Sequence, residues 1–240
     1  MNKRIWELDA IRGVLMILIM AYHLFYDLVF LFSLVELNTP FLRGLYRFCN
    51  DWLGSPFLFL SGLCVTLGSR PVRRGLQVIG GGVIITLVTT GMYLLGFAGK
   101  DIIIYFGVLH CLGTCMLLWP LFKKLPKPIL LALGITLAVL GLFVIDDVRV
   151  SFPWLVPLGL VPRSFASSDY FPLLPNLGYF LIGAFLGKTL YREKKSLLPN
   201  IPPSHPLIRP LSFVGRHSLI LYLLHQPVLA AAVYLWTVII

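Results

Sequence analysis

The stretch that decides the fold is Gly13–Leu34, GVLMILIMAYHLFYDLVFLFSL, an apolar run in which His23 and Asp27 are the acid/base exceptions. At about 1.5 Å per helical residue, about 20 residues cross a hydrocarbon core of about 30 Å. An ionisable residue there costs about 2.5–3.5 kcal/mol and marks a functional site by default. The i,i+4 spacing places both side chains on one helix face. We therefore predict a buried acid/base pair; the alternative is a polar clamp between two helices.

The composition excludes a soluble globular domain. Mean hydropathy is +0.88, and charged residues make up only 12% of the 240 residues, which is typical of a membrane protein. We predict one integral-membrane domain over residues 1–240. The net charge of +10 does not indicate nucleic-acid binding, because Lys and Arg lie in short segments between apolar runs, as orientation signals do.

The pattern of apolar runs predicts an all-α, polytopic transmembrane helix bundle of about seven spans. In chain order they are Gly13–Leu34, Leu53–Ser69, Leu76–Ala98, Ile102–Phe122, Pro128–Ile145, Phe171–Leu190 and Leu211–Ile239.

Basic residues alternate between the connecting segments and so predict the topology. The richer set is Lys3, Arg4, Arg12, Arg70, Arg73, Arg74, Lys123, Lys124, Lys127, Lys188, Arg192, Lys194, Lys195 and Arg209. The positive-inside rule places this set, and the amino terminus, in the cytoplasm. An odd number of spans then puts the carboxyl terminus outside. The first run is too long for a cleavable signal core, and we expect it to stay as an anchor.

Topology converts sequence position into depth. His23 lies about 15 Å above the cytoplasmic end of its run, and Asp27 about 6 Å higher. His110, on a span that runs the other way, lies about 12 Å below the outer surface, and His225 returns to nearly the level of Asp27. The four residues thus share one layer, which predicts a polar cavity. His110 alone is equally compatible with a packing residue.

The last span has further polar features beside His225. Gln226 adds an amide, and Pro227 deprives the Leu223 carbonyl of its helical donor, so we expect a broken helix lining the cavity. By contrast, Cys111 and Cys115 beside His110 do not predict a metal site, because consecutive residues of a helix point about 100° apart. No metal is expected.

The segment Val148–Tyr170 is too long for a simple turn and carries aromatic residues and prolines. It is either a lid or re-entrant segment on the outer side, or an interfacial loop whose aromatic rings rest at headgroup level. We assign Arg163 in this segment to the acceptor site.

Several strings resemble known families. Leu8-Asp9-Ala10-Ile11-Arg12-Gly13, with His23 downstream, resembles the first-helix motif of the acyltransferase-3 family, and Phe57-Leu58-Phe59-Leu60-Ser61-Gly62 looks like that superfamily's second-helix signature. The chain is also similar to bacterial proteins grouped with the heparan-alpha-glucosaminide N-acetyltransferase catalytic domain. The strings that carry this similarity are Tyr105–His110, Asp169–Pro175, Gly215–Leu219 and Leu224–Pro227.

The resemblance implies transfer of an acyl group, with acetyl expected, from cytoplasmic acyl-coenzyme A to an acceptor on the other side of the bilayer. It maps the essential arginine and histidine onto Arg12 and His23. A histidine with an ordinary pKa near 6.5 suits a general base. Asp27 is expected to orient its imidazole or to stabilise the imidazolium cation.

The remaining site residues are assigned by position. His225 and Gln226 are expected to position the acceptor or to donate to the oxyanion, and His110 to contact the acceptor. Arg12 is expected to bind a coenzyme A phosphate bidentately, with Arg216 and Ser61 as further donor-site residues. Arg12 has an alternative role as an ordinary inside-positive residue.

Two other readings of the function stay open. In a proton-coupled transporter, His23, Asp27 and His225 would form a relay; in a non-catalytic scaffold, the polar residues would only fix helix register. For the acyltransferase, the expected partners are acyl-coenzyme A, a glycan or lipid-linked acceptor and the bilayer, with a bacterial cytoplasmic membrane as the location. A homo-oligomer is left open.

Overall fold

The computed structural model describes residues 5–145 and 148–239; Lys3 and Arg4, which enter the topology prediction, lie outside them. The chain divides into two compact units, one within Met1–Phe57 and Lys195–Ile240 and the other within Leu58–Lys194. That the chain acts as one membrane domain stays a prediction.

The first unit is built from the two ends of the chain. Its helices are α1 (Trp6–Tyr26), α2 (Pro40–Trp52), α8 (Ile208–Arg216) and α9 (Ser218–Ile239). Helix α1 continues into a π-helical turn, Asp27–Leu31, in which the Phe32 N–H donates to the Asp27 carbonyl over 2.9 Å. Such wide turns inside helices frequently occur at functional sites.

The second unit contains most of α3 (Ser55–Val65), together with α4 (Pro71–Leu94), α5 (Val108–Phe122), α6 (Lys127–Leu140) and α7 (Leu173–Leu190). Helix α6 extends into a π-helical turn, Gly141–Ile145. Between α6 and α7 lie a two-residue parallel pair, β1 (Arg149–Val150) and β2 (Val161–Pro162), and a short 3₁₀ turn, Val156–Leu158.

The all-α prediction is confirmed, and a helix occupies each of the seven predicted runs. Among the residues that the structure describes, five helical segments are long and apolar enough to cross a membrane: Trp6–Leu31, Pro71–Leu94, Lys127–Ile145, Leu173–Leu190 and Ser218–Ile239. Helices α3 and α5 are shorter than the predicted spans. The orientation in the membrane stays a prediction.

The predicted boundaries of the last span were wrong. Residues Leu211–Arg216 belong to the separate helix α8, which ends at His217 before α9 begins at Ser218. The expected break at Pro227 is also absent, because α9 runs through Pro227 as one helix.

Glycine pairs allow close helix crossings in both units, as is common in membrane bundles. At the α1–α8 crossing, a Cβ on Gly13 would collide with the Leu211 carbonyl, and one on Gly215 with the Asp9 carbonyl. Facing glycine pairs are also found at Gly75/Gly113 between α4 and α5, and at Gly134/Gly178 between α6 and α7. In the first unit the Gly13/Gly215 contact fixes where α8 meets α1.

The segment Val148–Tyr170 is an ordered loop packed on the residues before α5. The Ser167 hydroxyl donates to the Ile103 carbonyl over 2.9 Å, the Tyr170 hydroxyl donates to the Val156 carbonyl over 2.7 Å, and Asp169 accepts from the Val108 N–H over 3.1 Å. Its Trp154 is 79% exposed, as the interfacial-loop alternative expects of an aromatic ring.

Candidate functional site

Helices α1 and α9 bring two histidines together inside the first unit. The ring centroids of His23 and His225 lie 4.7 Å apart, with the ring planes at 79°. His225 is buried, at 6% exposure, and His23 is partly buried. Residues 202 positions apart in sequence thus form one imidazole pair at the centre of a predicted span.

The backbone determines which nitrogen of each ring carries a proton. His23 Nδ1 lies 2.9 Å from the Ile19 carbonyl oxygen, and His225 Nδ1 lies 2.7 Å from the Tyr222 carbonyl oxygen. A carbonyl oxygen only accepts, so Nδ1 must be the protonated nitrogen in both rings. In the neutral imidazoles Nε2 therefore holds the lone pair, and Nε2 is the nitrogen able to act as a base.

Asp27 pairs with a residue other than the one predicted. Instead of orienting His23, its Oδ1 accepts from Gln226 Nε2 over 2.6 Å, and the carboxyl group is fully buried at 0% exposure. The reason is geometric. His23 is already tied to its own helix through Nδ1, and Gln226 projects from α9 toward Asp27.

The cluster contains buried acceptors without donors. Asp27 Oδ2, His225 Nε2 and Gln226 Oε1 are buried and have no hydrogen-bond partner within the described part of the chain. In the tautomer set by Tyr222, all three atoms are acceptors. Leaving a buried acceptor without a hydrogen bond costs about 1–3 kcal/mol. The cluster therefore favours a ligand whose hydroxyl or amine hydrogens can donate to these atoms.

Three residues beside the cluster were not predicted from the sequence. The Tyr22 ring contacts His23 edge-on with centroids 5.4 Å apart, stacks on Tyr46 at 5.9 Å, and donates its hydroxyl hydrogen to Asn50 Oδ1 over 2.9 Å. Tyr46 and Asn50 belong to α2, whose helical start is marked by Thr39 accepting from the Leu42 N–H. Thus α2 supports the face of α1 that carries His23.

A signal for α2 was present in the sequence. Apolar residues recur at helical spacing in Phe41, Leu45, Phe48 and Trp52, and the Thr-Pro pair before Phe41 matches a helix start. This short amphipathic helix is not one of the long apolar runs from which the spans were predicted.

The two arginines assigned to the donor lie beside the α1–α8 crossing. Arg12 precedes Gly13 and Arg216 follows Gly215, and these glycines lie in direct contact. Arg12 Nη1 is 3.3 Å from Asp9 Oδ1, while Arg216 Nε donates to the Ser212 carbonyl over 3.1 Å and its side chain is exposed. Both arginines therefore belong to one end of the first unit.

Three of the predicted site residues belong to the second unit. His110 Nδ1 accepts from the Gly107 N–H over 3.3 Å, its Nε2 is 3.4 Å from Thr86 Oγ1, and a Cβ on Gly82 would press on the ring. These contacts fit the packing alternative for His110. Ser61 is buried in α3, at 8% exposure, and Arg163 is exposed in the loop before α7.

The cysteine pair on α5 is fully buried at Cys111 and Cys115. The Cys111 thiol donates a hydrogen bond to the Pro172 carbonyl over 3.6 Å. Within residues 5–145 and 148–239, no group of three or more His, Cys, Asp or Glu is arranged to hold a metal ion.

A comparison with family models supplies the family. The model described as "Heparan-alpha-glucosaminide N-acetyltransferase, catalytic" matches residues 4–227, a range that includes every predicted site residue. Neither the curated proteins nor the solved structures contain a match to this chain.

Proposed function

Because the chain belongs to the heparan-alpha-glucosaminide N-acetyltransferase catalytic family, we propose that it is a multi-pass membrane acyltransferase that uses His23 as its general base. The donor is acyl-coenzyme A, with acetyl as the acyl group. The acceptor is a hydroxyl or amine of an extracytoplasmic glycan or lipid-linked sugar. The enzyme is placed in a bacterial cytoplasmic membrane.

The observation that supports this proposal most strongly is the His23–His225 pair, in which backbone carbonyls hold both Nδ1 protons. His23 Nε2 takes the proton of the acceptor O–H or N–H as that atom bonds to the thioester carbonyl carbon. The carbon–sulfur bond then breaks, and the imidazolium returns the proton to the departing thiolate. Protons and electrons balance without a metal or redox partner.

The buried atoms that lack hydrogen-bond donors give the residues beside His23 a role in holding the substrate that receives the acyl group. His225 Nε2, Asp27 Oδ2 and Gln226 Oε1 receive hydrogen bonds from hydroxyl or amine groups adjacent to the reacting one. In the tautomer selected by the Tyr222 carbonyl, neutral His225 has no hydrogen on Nε2 for the oxyanion. The second amide hydrogen of Gln226, beyond the one given to Asp27, is left for that purpose.

The length of α1 suits the donor. Arg12 and His23 are separated by 11 residues of one helix, a rise of about 16 Å. An extended phosphopantetheine arm spans about 15 Å from phosphorus to sulfur at the pitch of an extended amide chain. A phosphate held by Arg12 and Arg216 would therefore deliver the thioester to the level of His23.

The test is release of coenzyme A thiol from acetyl-coenzyme A by the purified protein in nanodiscs, with a membrane glycan extract as acceptor. We expect His23→Gln to lower the rate by at least about 100-fold, in line with the loss of a general base. His205→Gln is the matched control, because His205 is exposed in the same unit. Wild-type rates in His23→Gln would refute the proposal.

The same preparation separates the enzyme from the transporter. The acyltransferase consumes acetyl-coenzyme A and increases the acceptor's mass by one acetyl group. A transporter would instead give pH-driven flux in sealed vesicles without any acyl donor.

A further inference from the structure

An arginine cluster lies in the second unit at the start of α4. Arg70, Arg73, Arg74 and Gln77 follow the spacing i, i+3, i+4, i+7, which places them on one helix face. Together with Ser69 they line a pocket of about 330 Å³. The pocket is open at the surface, and all five lining side chains are exposed.

The guanidinium groups of this cluster line a pocket that has no counter-charge from the described part of the chain. The side chains that line it are Ser69, Arg70, Arg73, Arg74 and Gln77, none of which is acidic. Three like charges within two helical turns repel one another. A bound anion would relieve that repulsion.

Local backbone geometry adds to the positive field. Arg70 is the N-cap of α4 and makes no side-chain cap, and Pro71 occupies the first helical position. The N–H groups of Val72 and Arg73 at the following positions lack intrahelical acceptors, and the helix dipole is positive at this end. Gly68 leaves room for Arg74, because a Cβ there would lie 3.2 Å from Nη1.

Topology alone does not account for this composition. The positive-inside rule is satisfied by lysine as well as by arginine, and the other basic segments of the same predicted side contain lysines, such as Lys123, Lys124 and Lys127. The stretch Arg70–Arg74 at the start of α4 has three arginines and no lysine. Arginine differs from lysine in its planar fork, which binds phosphate oxygens bidentately.

We propose that Arg70, Arg73 and Arg74 form a binding site for a phosphate group, supplied either by a nucleotide such as coenzyme A or by an anionic phospholipid headgroup. Bidentate contacts from the arginines hold the phosphate oxygens, and Ser69 and Gln77 add neutral hydrogen bonds. The site does not depend on acyl-transfer activity, so loss of either conclusion leaves the other standing.

The test uses the full chain in nanodiscs of uncharged phosphatidylcholine. Binding of coenzyme A is measured by calorimetry, and binding of a short-chain phosphatidylglycerol by native mass spectrometry. The decisive variant is the triple substitution R70K/R73K/R74K, which retains charge and topology but removes the forks. The matched control is K123A/K124A/K127A, which removes three charges elsewhere in the same unit.

We expect wild type to bind at least one of the two probes, and the triple lysine variant to bind it at least about tenfold more weakly. The control should bind as wild type does. A loss confined to coenzyme A identifies the nucleotide as the source, and a loss confined to the lipid identifies the headgroup. The proposal is overturned if wild type binds neither probe, or if the triple lysine variant binds both like wild type.

Discussion

Replacing Gln226 by Met removes the hydrogen bond that Gln226 Nε2 donates to the buried Asp27 carboxyl group over 2.6 Å. Leaving a buried hydrogen-bonding group without its partner costs about 1–3 kcal/mol. Asp27 Oδ2 already has no hydrogen-bond partner among the described residues. The single variant therefore leaves both carboxyl oxygens unsatisfied at 0% exposure. We expect the free energy of unfolding to fall by about 2–3 kcal/mol.

The pair is best tested by a double-mutant cycle. Asp27→Leu alone leaves the Gln226 amide without its acceptor, whereas the double variant D27L/Q226M leaves neither polar group in the apolar span. Replacing both partners by apolar groups is close to neutral. The losses in free energy of unfolding in the two single variants, added together, should therefore exceed the loss in the double variant by about 2 kcal/mol.

The assay is reversible unfolding in mixed micelles, with each variant measured under the same conditions. Thr237→Val is the control partner for Asp27→Leu, because the Thr237 hydroxyl bonds only to its own helix, at the Tyr234 carbonyl. That combination should be additive within about 0.5 kcal/mol. If the effects of D27L and Q226M on the free energy of unfolding also add within about 0.5 kcal/mol, the reasoning is refuted, because the contact between the two side chains would then contribute no stability.

Three further predictions concern the first unit. Gly215→Ala should lower unfolding stability by about 1–3 kcal/mol, because its Cβ meets the Asp9 carbonyl. Gly44→Ala, in open space on α2, should raise stability by up to about 1 kcal/mol. Both glycine variants are measured by thermal melting, and equal effects at the two sites would contradict the packing argument. Tyr22→Phe should lower kcat about three- to tenfold with stability reduced by less than about 1 kcal/mol, measured by transfer kinetics and melting; an unchanged kcat would remove α2 from the account. Arg12→Lys should weaken acetyl-coenzyme A binding about tenfold by calorimetry, and unaltered affinity would leave Arg12 as a topological residue.

Depth and helical spacing predicted part of the site. The level of His23 in the first run and of His225 in the last was calculated from helical rise alone, and in the structure the two rings are in contact. The family was indicated by four strings, and the family match confirms it: Tyr105–His110, Asp169–Pro175, Gly215–Leu219 and Leu224–Pro227. The levels of the two histidines could be calculated because the depth of a residue in a span depends only on its distance along the helix.

The pairings across helices could not be predicted. Depth says nothing about how α1 and α9 are rotated, so the sequence could not show that Asp27 would meet Gln226 instead of His23. The π-helical turn at Asp27–Leu31 and the tautomers set by Ile19 and Tyr222 likewise depend on backbone geometry. The tautomers in turn specify which nitrogen of each ring can take a proton.

The most direct test of the account follows one acetyl group across the bilayer. Carbon-13-labelled acetyl-coenzyme A is sealed with the protein inside vesicles, the glycan extract is supplied outside, and the outer glycan is analysed by mass spectrometry. The account predicts labelled acetyl on the outer glycan with wild-type protein and none with His23→Gln. Equal labelling by both proteins, or label appearing only on molecules inside the vesicle, would contradict it.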